Sequence, residues 1–262
     1  MPFAFDRYVG IDYSGAQTPT ASLKGLRVFI AHADDAQPSE VLPPSGPRKY
    51  WSRKGLAVWL ADLLKQECAT LVGIDHGFSF PQRYFDTHGL APDWYAFLDD
   101  FQAHWPTHED EVRVDLIREG TVGHGQARQG HATWRRLAEV RCRGKSVFHF
   151  DVQGSVAKST HSGLPWLRYL HLELGDRLHF WPFDGWDIPA GRSAVLEAYP
   201  SMLRRELVAP AGMTGDQFDA YAIAEWFRRA DRDGRLAAAL HPALLDAERE
   251  VAAVEGWIVG CV

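Results

Sequence analysis

The sequence predicts an α/β fold: a mixed, largely parallel central sheet flanked by helices, with a largely helical insertion. Two observations lead to it. Apolar runs of strand length recur at residues 7–13 (RYVGIDY), 26–33 (LRVFIAHA), 70–75 (TLVGID) and 194–199 (AVLEAY), bounded by turn-forming residues. Between and after them lie segments in which apolar residues return at helical spacing. Such alternation buries a sheet beneath helices on both faces.

The run at 7–13 ends in Asp12 and a Ser14-Gly15 turn and reads as a buried strand, and the run at 26–33 follows as the next. A proline-rich stretch, VLPPSGPRKYW, then interrupts regular structure. Residues 54–66 put Leu56, Trp59, Leu60, Leu63 and Leu64 on one face of a helix. The run at 70–75 again ends in Asp, and His76-Gly77 leads to a stop at Pro81. From about 83 to 145 strand character weakens, and two or three helices suggest an insertion packed on the core of a single domain spanning 1–262. Residues 146–152 (SVFHFDV) are expected to return to the sheet, 164–174 to be helical and 177–183 (RLHFWPF) extended. Pro200 suits the first turn of a helix, where its missing N–H costs nothing. Thr214 and Gln217 form a T-x-x-Q capping box for a helix that runs to about Asp231.

Composition narrows the class. A chain of 262 residues, 46% hydrophobic and 24% charged, is ordinary for a globular protein with a sizeable core. No apolar run approaches the ~20 residues of a membrane-spanning helix, and the N-terminus lacks a signal-peptide pattern, so no membrane association is expected. The three cysteines, Cys68, Cys142 and Cys261, lie far apart with no CxxC pair. That spacing argues against a disulfide framework and for a reducing, cytoplasmic location. A net charge of −6 does not suit a protein that clings to nucleic acid through bulk positive charge. Locally, though, residues 113–145 carry eight basic residues (Arg113, Arg118, Arg128, Arg135, Arg136, Arg141, Arg143, Lys145) against three acidic ones (Asp115, Glu119, Glu139), a balance of 8 − 3 = +5. A local basic surface for nucleic acid therefore stands beside the plainer reading of solvated helical faces.

The chemistry-bearing residues are acids. Open α/β sheets place ligand sites at the carboxyl ends of strands, and Asp12 and Asp75 both end apolar runs in the near-repeat VGIDYSG and VGIDHGF. Glu197 lies late in a third run, and Asp216 and Asp219, at i and i+3, share one face of a helix start. Singly, each has a plain explanation: an Asp after a strand starts turns, and acids at a helix start complement its dipole. As a set they suggest hard oxygen ligands for Mg²⁺ or Mn²⁺, of the kind that activates water for phosphoryl displacement.

The segments VGIDYSGA, LVGIDHGFSFP, LEAYPSMLRREL, TGDQFDAYAIAEWF and the closing EGWIVG resemble, in order and style, a family called domain of unknown function 429, described as predicted nucleases of RNase H-like fold. DAYAIA also resembles the final helix of bacterial Holliday-junction resolvases. The resemblance implies an RNase H-like sheet with Asp12 and Asp75 as strand ligands, Asp219 as the helix ligand, and Asp216 and Glu197 in support. In the resolvases the second-strand acid is usually Glu, and here it would be the shorter Asp75. The insertion at 83–145 matches nothing in either family.

Other candidates surround these acids. Lys158, Ser159, Thr160 and His161 fail the P-loop pattern, since Ala157 and Val152 stand where glycines are required, but as a polar loop they would suit a phosphate. His76, next to Asp75, is a candidate proton shuttle near neutral pH. His124 and His131 lack a zinc-ligand pattern. Trp181 and Trp186 would line a pocket or stack on a base. The expected function is a metal-dependent phosphodiesterase, a nuclease. The rivals are an ATP-dependent phosphotransferase of actin-like architecture, which needs glycine-rich phosphate hairpins after the acidic strands, and a non-catalytic binding module on the same fold.

Overall fold

A computed structural model describes residues 4–46, 49–152 and 154–262. The strands are β1 (Arg7–Asp12), β2 (Arg27–His32), β3 (Ser39–Glu40), β4 (Thr70–Ile74), β5 (Leu178–Phe180) and β6 (Ser193–Glu197). The helices are α1 (Arg53–Leu64), α2 (Gln82–His88), α3 (Trp94–His104), α4 (Val114–Arg118), α5 (Leu137–Arg141), α6 (Ala157–Leu174), α7 (Pro200–Leu203), α8 (Gly215–Arg232), α9 (Leu236–Leu240) and α10 (Asp246–Glu255). The chain is thus α/β, as expected. Its six-stranded mixed sheet has the order β3-β2-β1-β4-β6-β5. β1 pairs antiparallel with β2, and β2 with β3, while β1, β4, β6 and β5 pair in parallel.

Strand pleat sorts the core into two layers. Val9, Ile11, Val72, Ile74 and Val195 pack with Leu56 and Leu60 of α1 and Leu164 and Leu167 of α6. The intervening residues Tyr8, Leu71, Ala194 and Leu196 pack with Ile223 and Phe227 of α8. This period-two alternation under two helical layers is what a doubly covered sheet requires. Each large side chain so buried contributes roughly 1.5–3 kcal/mol. The insertion is not separate from this core. Phe85, Trp94, Phe97, Phe101 and Trp105, from α2, α3 and the turn that follows, join the α1/α6 layer.

The two VGID glycines explain how close α8 lies. A Cβ on Gly10 would stand 2.1 Å from the Ala220 carbonyl oxygen, and one on Gly73 would stand 2.5 Å from Ile223. Gly10 and Gly73 are register partners on adjacent strands. Together they form a flat strip on which the helix backbone rests. The capping box expected at the start of α8 is present, with Thr214 accepting from the Gln217 amide and Gln217 accepting from that of Thr214.

Three expectations change. Residues 146–152 form turns instead of a strand. Helix α6 starts at Ala157, seven residues before the expected start at 164 (164 − 157 = 7), and absorbs the polar segment 158–161. Its low apolar content and Gly163 hid it, and Pro165 sits inside it. Proline supplies no N–H to the carbonyl four residues earlier, and that carbonyl, on His161, instead accepts from the Thr107 hydroxyl at 2.6 Å. Finally, Cys142 and Cys261 are joined in a disulfide, and Cys68 is free. The pair is 119 residues apart in sequence, so spacing gave no sign of it, and the support it lent to a reducing compartment falls away. Among the described residues no helix is long and apolar enough to cross a membrane.

Candidate functional site

Asp12 closes β1, and Asp75 follows β4 directly. Since Ile11 pairs with Ile74 in parallel register, the two aspartates stand side by side at the strand ends. Both have the parity of Gly10 and Gly73, so they emerge on the α8 face. The start of α8 brings Asp216 and Asp219 to the same corner. Burial, then Asp75, Asp219 and Asp216, push the Asp12 carboxyl up to about 9. Burial, then Asp219 and Glu197, push that of Asp75 up to about 8. Asp75 Oδ1 is buried and accepts no hydrogen bond among the described residues. Asp219 is raised by burial, an effect opposed by its ion pair with Arg204 at 2.8 Å.

Glu197 does not belong to this corner. Its register partner is Ile74, and paired positions in parallel strands face the same way, so its side chain leaves the sheet on the α1/α6 face. There it is buried, and both its oxygens accept from Arg136, each at 2.6 Å. Its Oε2 also accepts from the Phe78 amide. Arg136 is fully buried and bonds Glu139 at 2.9 Å as well. Glu197 therefore anchors the insertion to the sheet. The strand pleat, which alternates residue by residue, was the signal available in the sequence to separate it from Asp12 and Asp75.

The expected phosphate loop is the first turns of α6. Thr160 and His161 are buried, the Thr160 hydroxyl accepts from the Gly77 amide at 2.9 Å, and Ser159 donates to the Val156 carbonyl. Lys158 is half exposed but pairs with Asp115 at 2.8 Å. His76 is buried, with Nδ1 donating to the Gly77 carbonyl. Desolvation lowers its pKa to about 4, so near neutral pH it stays uncharged, and the proton-shuttle expectation is revised. The turns after the acidic strands are closed as well. A Cβ on Gly15 would meet the Lys158 backbone at 2.2 Å, and one on Gly77 would meet Val147 at 2.7 Å, so neither offers an open phosphate hairpin. Trp181 is buried and packs edge-on against Trp186.

Among the described residues, four of the eight basic residues of 113–145 form ion pairs. Arg118 pairs with Asp115 and Asp151, Arg128 with Asp100, Arg136 with Glu139 and Glu197, and Arg141 with Glu248. A uniform cationic surface for nucleic acid is not formed by these residues. The cations that do face the acids were missed in the sequence. Arg27 is the cross-strand partner of Asp12 and lowers its pKa, against the larger effects that raise it. Arg204 lies in the segment LEAYPSMLRREL, in which Glu197 was the one candidate site residue.

Among the described residues no group of three or more His, Cys, Asp or Glu side chains forms a ready metal cage. What the corner offers is an all-oxygen donor set with one orphaned, buried carboxylate oxygen, which fits a hard divalent cation better than a soft one. Fold and site together define an α/β protein with a six-stranded mixed sheet and an acidic centre at the ends of its two central parallel strands. Comparison with protein-family models, curated proteins and solved structures finds no match to the chain.

Proposed function

We propose that the chain is a divalent-metal-dependent phosphodiester hydrolase, a nuclease, built on an RNase H-like sheet. The observation that carries this reading is the Asp12–Asp75 pair: adjacent carboxylates, each driven toward protonation by burial and like charge, with Asp75 Oδ1 left without a partner. Such a pair is stabilised in its ionised form by a cation. Asp12 and Asp75 would hold Mg²⁺ or Mn²⁺, and Asp219 would join them on exchanging Arg204 for the ion. A bound divalent ion supplies a water of lowered pKa and a Lewis acid for phosphorus. Arg204 and Arg27 would orient the anionic diester beside it. The antiparallel β3–β2–β1 unit, continued on its β1 side by the parallel strands β4, β6 and β5, supports the sheet assignment, and the motif resemblance supports nucleic acid as the substrate.

The test is hydrolysis of single-stranded, duplex and branched nucleic acids with Mn²⁺, comparing wild type with Asp12→Asn. Cleavage that needs both Mn²⁺ and Asp12 is the expected result, and absence of such cleavage on every substrate overturns the proposal. A second reading, a non-catalytic binding module, is favoured by the Asp219–Arg204 ion pair, which already occupies the helix acid. It expects no turnover in the same assay. The phosphotransferase reading loses its footing because Gly15 and Gly77 are packed against neighbouring structure.

A further inference from the structure

Beneath the acidic corner, on the opposite face of the sheet, lies a small internal cavity of about 20 Å³ lined by Tyr13, Arg53, His76 and Trp166 among apolar side chains. Three of the polar atoms on these residues, Tyr13 Oη, Arg53 Nε and Trp166 Nε1, are buried without a hydrogen-bond partner among the described residues. Orphaned buried donors cost roughly 1–3 kcal/mol each, and native interiors rarely leave several around one space. The Arg53 guanidinium is itself buried and otherwise bonds only backbone: Nη1 donates to the Ser14 and Ala16 carbonyls at 3.1 and 2.6 Å, and Nη2 donates to that of Gln17 at 2.9 Å. Gln17 has a left-handed φ of 52°, a conformation disfavoured for a side-chain-bearing residue, so this clamp holds the loop after Asp12 in a specific shape.

We propose that this cavity is a binding site for one water molecule, which ties together the segments carrying Asp12 and Asp75. The volume is that of about one water-sized sphere. The donor–acceptor inventory also suits a water, with one proton left over, that of the Tyr13 hydroxyl. Arg53 Nε–H and Trp166 Nε1–H only donate, and they fill the two lone pairs of a water. The Tyr13 hydroxyl both donates and accepts. His76 Nδ1 donates to the Gly77 carbonyl, so Nε2 of the neutral ring is an acceptor. It lies beside Gly163, which lines the same cavity. The water's two protons thus go to Tyr13 Oη and His76 Nε2. A monovalent anion would satisfy the donors but would meet the His76 lone pair, and water is the better fit.

The site links four elements: the residue after Asp12, the residue after Asp75, Arg53 at the first position of α1, and Trp166 in α6. It stands or falls independently of any metal at the carboxylates. The test is a high-resolution crystal structure of the wild-type protein grown from a bromide buffer, paired with amide hydrogen exchange of Tyr13→Phe and Trp166→Phe. The expected result is one water-like peak within about 2.7–3.2 Å of Tyr13 Oη, Arg53 Nε and Trp166 Nε1. In both variants the amides of residues 14–17 should exchange several-fold faster than in wild type, while those of β4 stay protected. A dry cavity, an anomalous bromide peak there, or unchanged exchange at 14–17 in both variants would overturn the proposal.

Discussion

Asp75 and Glu197 sit at the ends of adjacent parallel strands, and their surroundings could hardly differ more. Glu197 gives both oxygens to Arg136 and a further bond to the Phe78 amide. Asp75 keeps Oδ1 buried and without a partner among the described residues, with Asp219, Glu197 and Asp12 as like-charged neighbours. One carboxylate is compensated within the chain, and the other keeps a buried oxygen with no hydrogen-bond partner among the described residues. Strand parity decides which is which: Glu197 points into the layer that holds the insertion, and Asp75 points to the open corner at the start of α8. Acidic residues at strand ends are therefore not equivalent, and a missing partner says more about function than position along the strand does.

The largest effect should come from breaking the compensated side. Arg136→Ala strands the Glu197 and Glu139 carboxylates in the interior and is expected to destabilise the fold by ~3–5 kcal/mol, read by denaturant unfolding. Breaking the uncompensated side should do the reverse. Burial and like charge push the Asp12 and Asp75 carboxyls up to about 9 and about 8 in the fold, against roughly 3.9 when unfolded. Between those limits the folded chain holds more protons than the unfolded one, so this contribution is full below about pH 4 and is lost as pH rises through 8 and 9. Asp12→Asn should therefore stabilise the metal-free protein at pH 8 by ~1 kcal/mol or more, seen as a higher Tm, while removing any Mn²⁺-induced thermal shift. An unchanged or lower Tm would mean that the two aspartates are not in conflict.

The elements that frame this contrast were legible in the sequence, but the contrast was not, since Glu197 was grouped with Asp12 and Asp75. The repeated VGID marked the paired strands, and its glycines, unremarked at first, allow α8 to lie flat and bring Asp216 and Asp219 over the strand ends. The Thr214–Gln217 box placed the start of that helix because capping is local chemistry. The partners of the charged groups were hidden because they are distant in sequence. Arg136 is 61 residues from Glu197, and Cys142 is 119 from Cys261. Helix α6 was partly hidden because its first turns are made of Lys158, Ser159, Thr160 and His161, whose side chains face neighbouring loops and backbone as well as an apolar layer.

Smaller changes sharpen the same comparison. Arg204 holds Asp219 at 2.8 Å across a partly exposed ion pair, so Arg204→Ala should tighten Mn²⁺ binding a few-fold in calorimetric titration. Weaker binding would show that Arg204 helps build the site instead of competing for it. On the acid side the buried histidines act in the opposite sense to the aspartates. Burial lowers His76 to about 4 and His161 to about 3, and the unfolded chain takes up their protons from roughly pH 6.5 downward. Their stabilisation is complete above that value and is lost as pH falls through 4 and 3. His161→Phe, within its ring of aromatic neighbours, should flatten the acid limb of the stability profile. The smallest expected change is Thr214→Ala, which removes the cap of α8 and should cost ~1 kcal/mol.

The most direct measurement of the central claim is anomalous diffraction from a crystal soaked in Mn²⁺ at pH 8. The expected result is a single strong peak between the Asp12 and Asp75 carboxylates, with none beside Glu197. Saturating Mn²⁺ that leaves the Asp12–Asp75 corner without a peak would contradict the account.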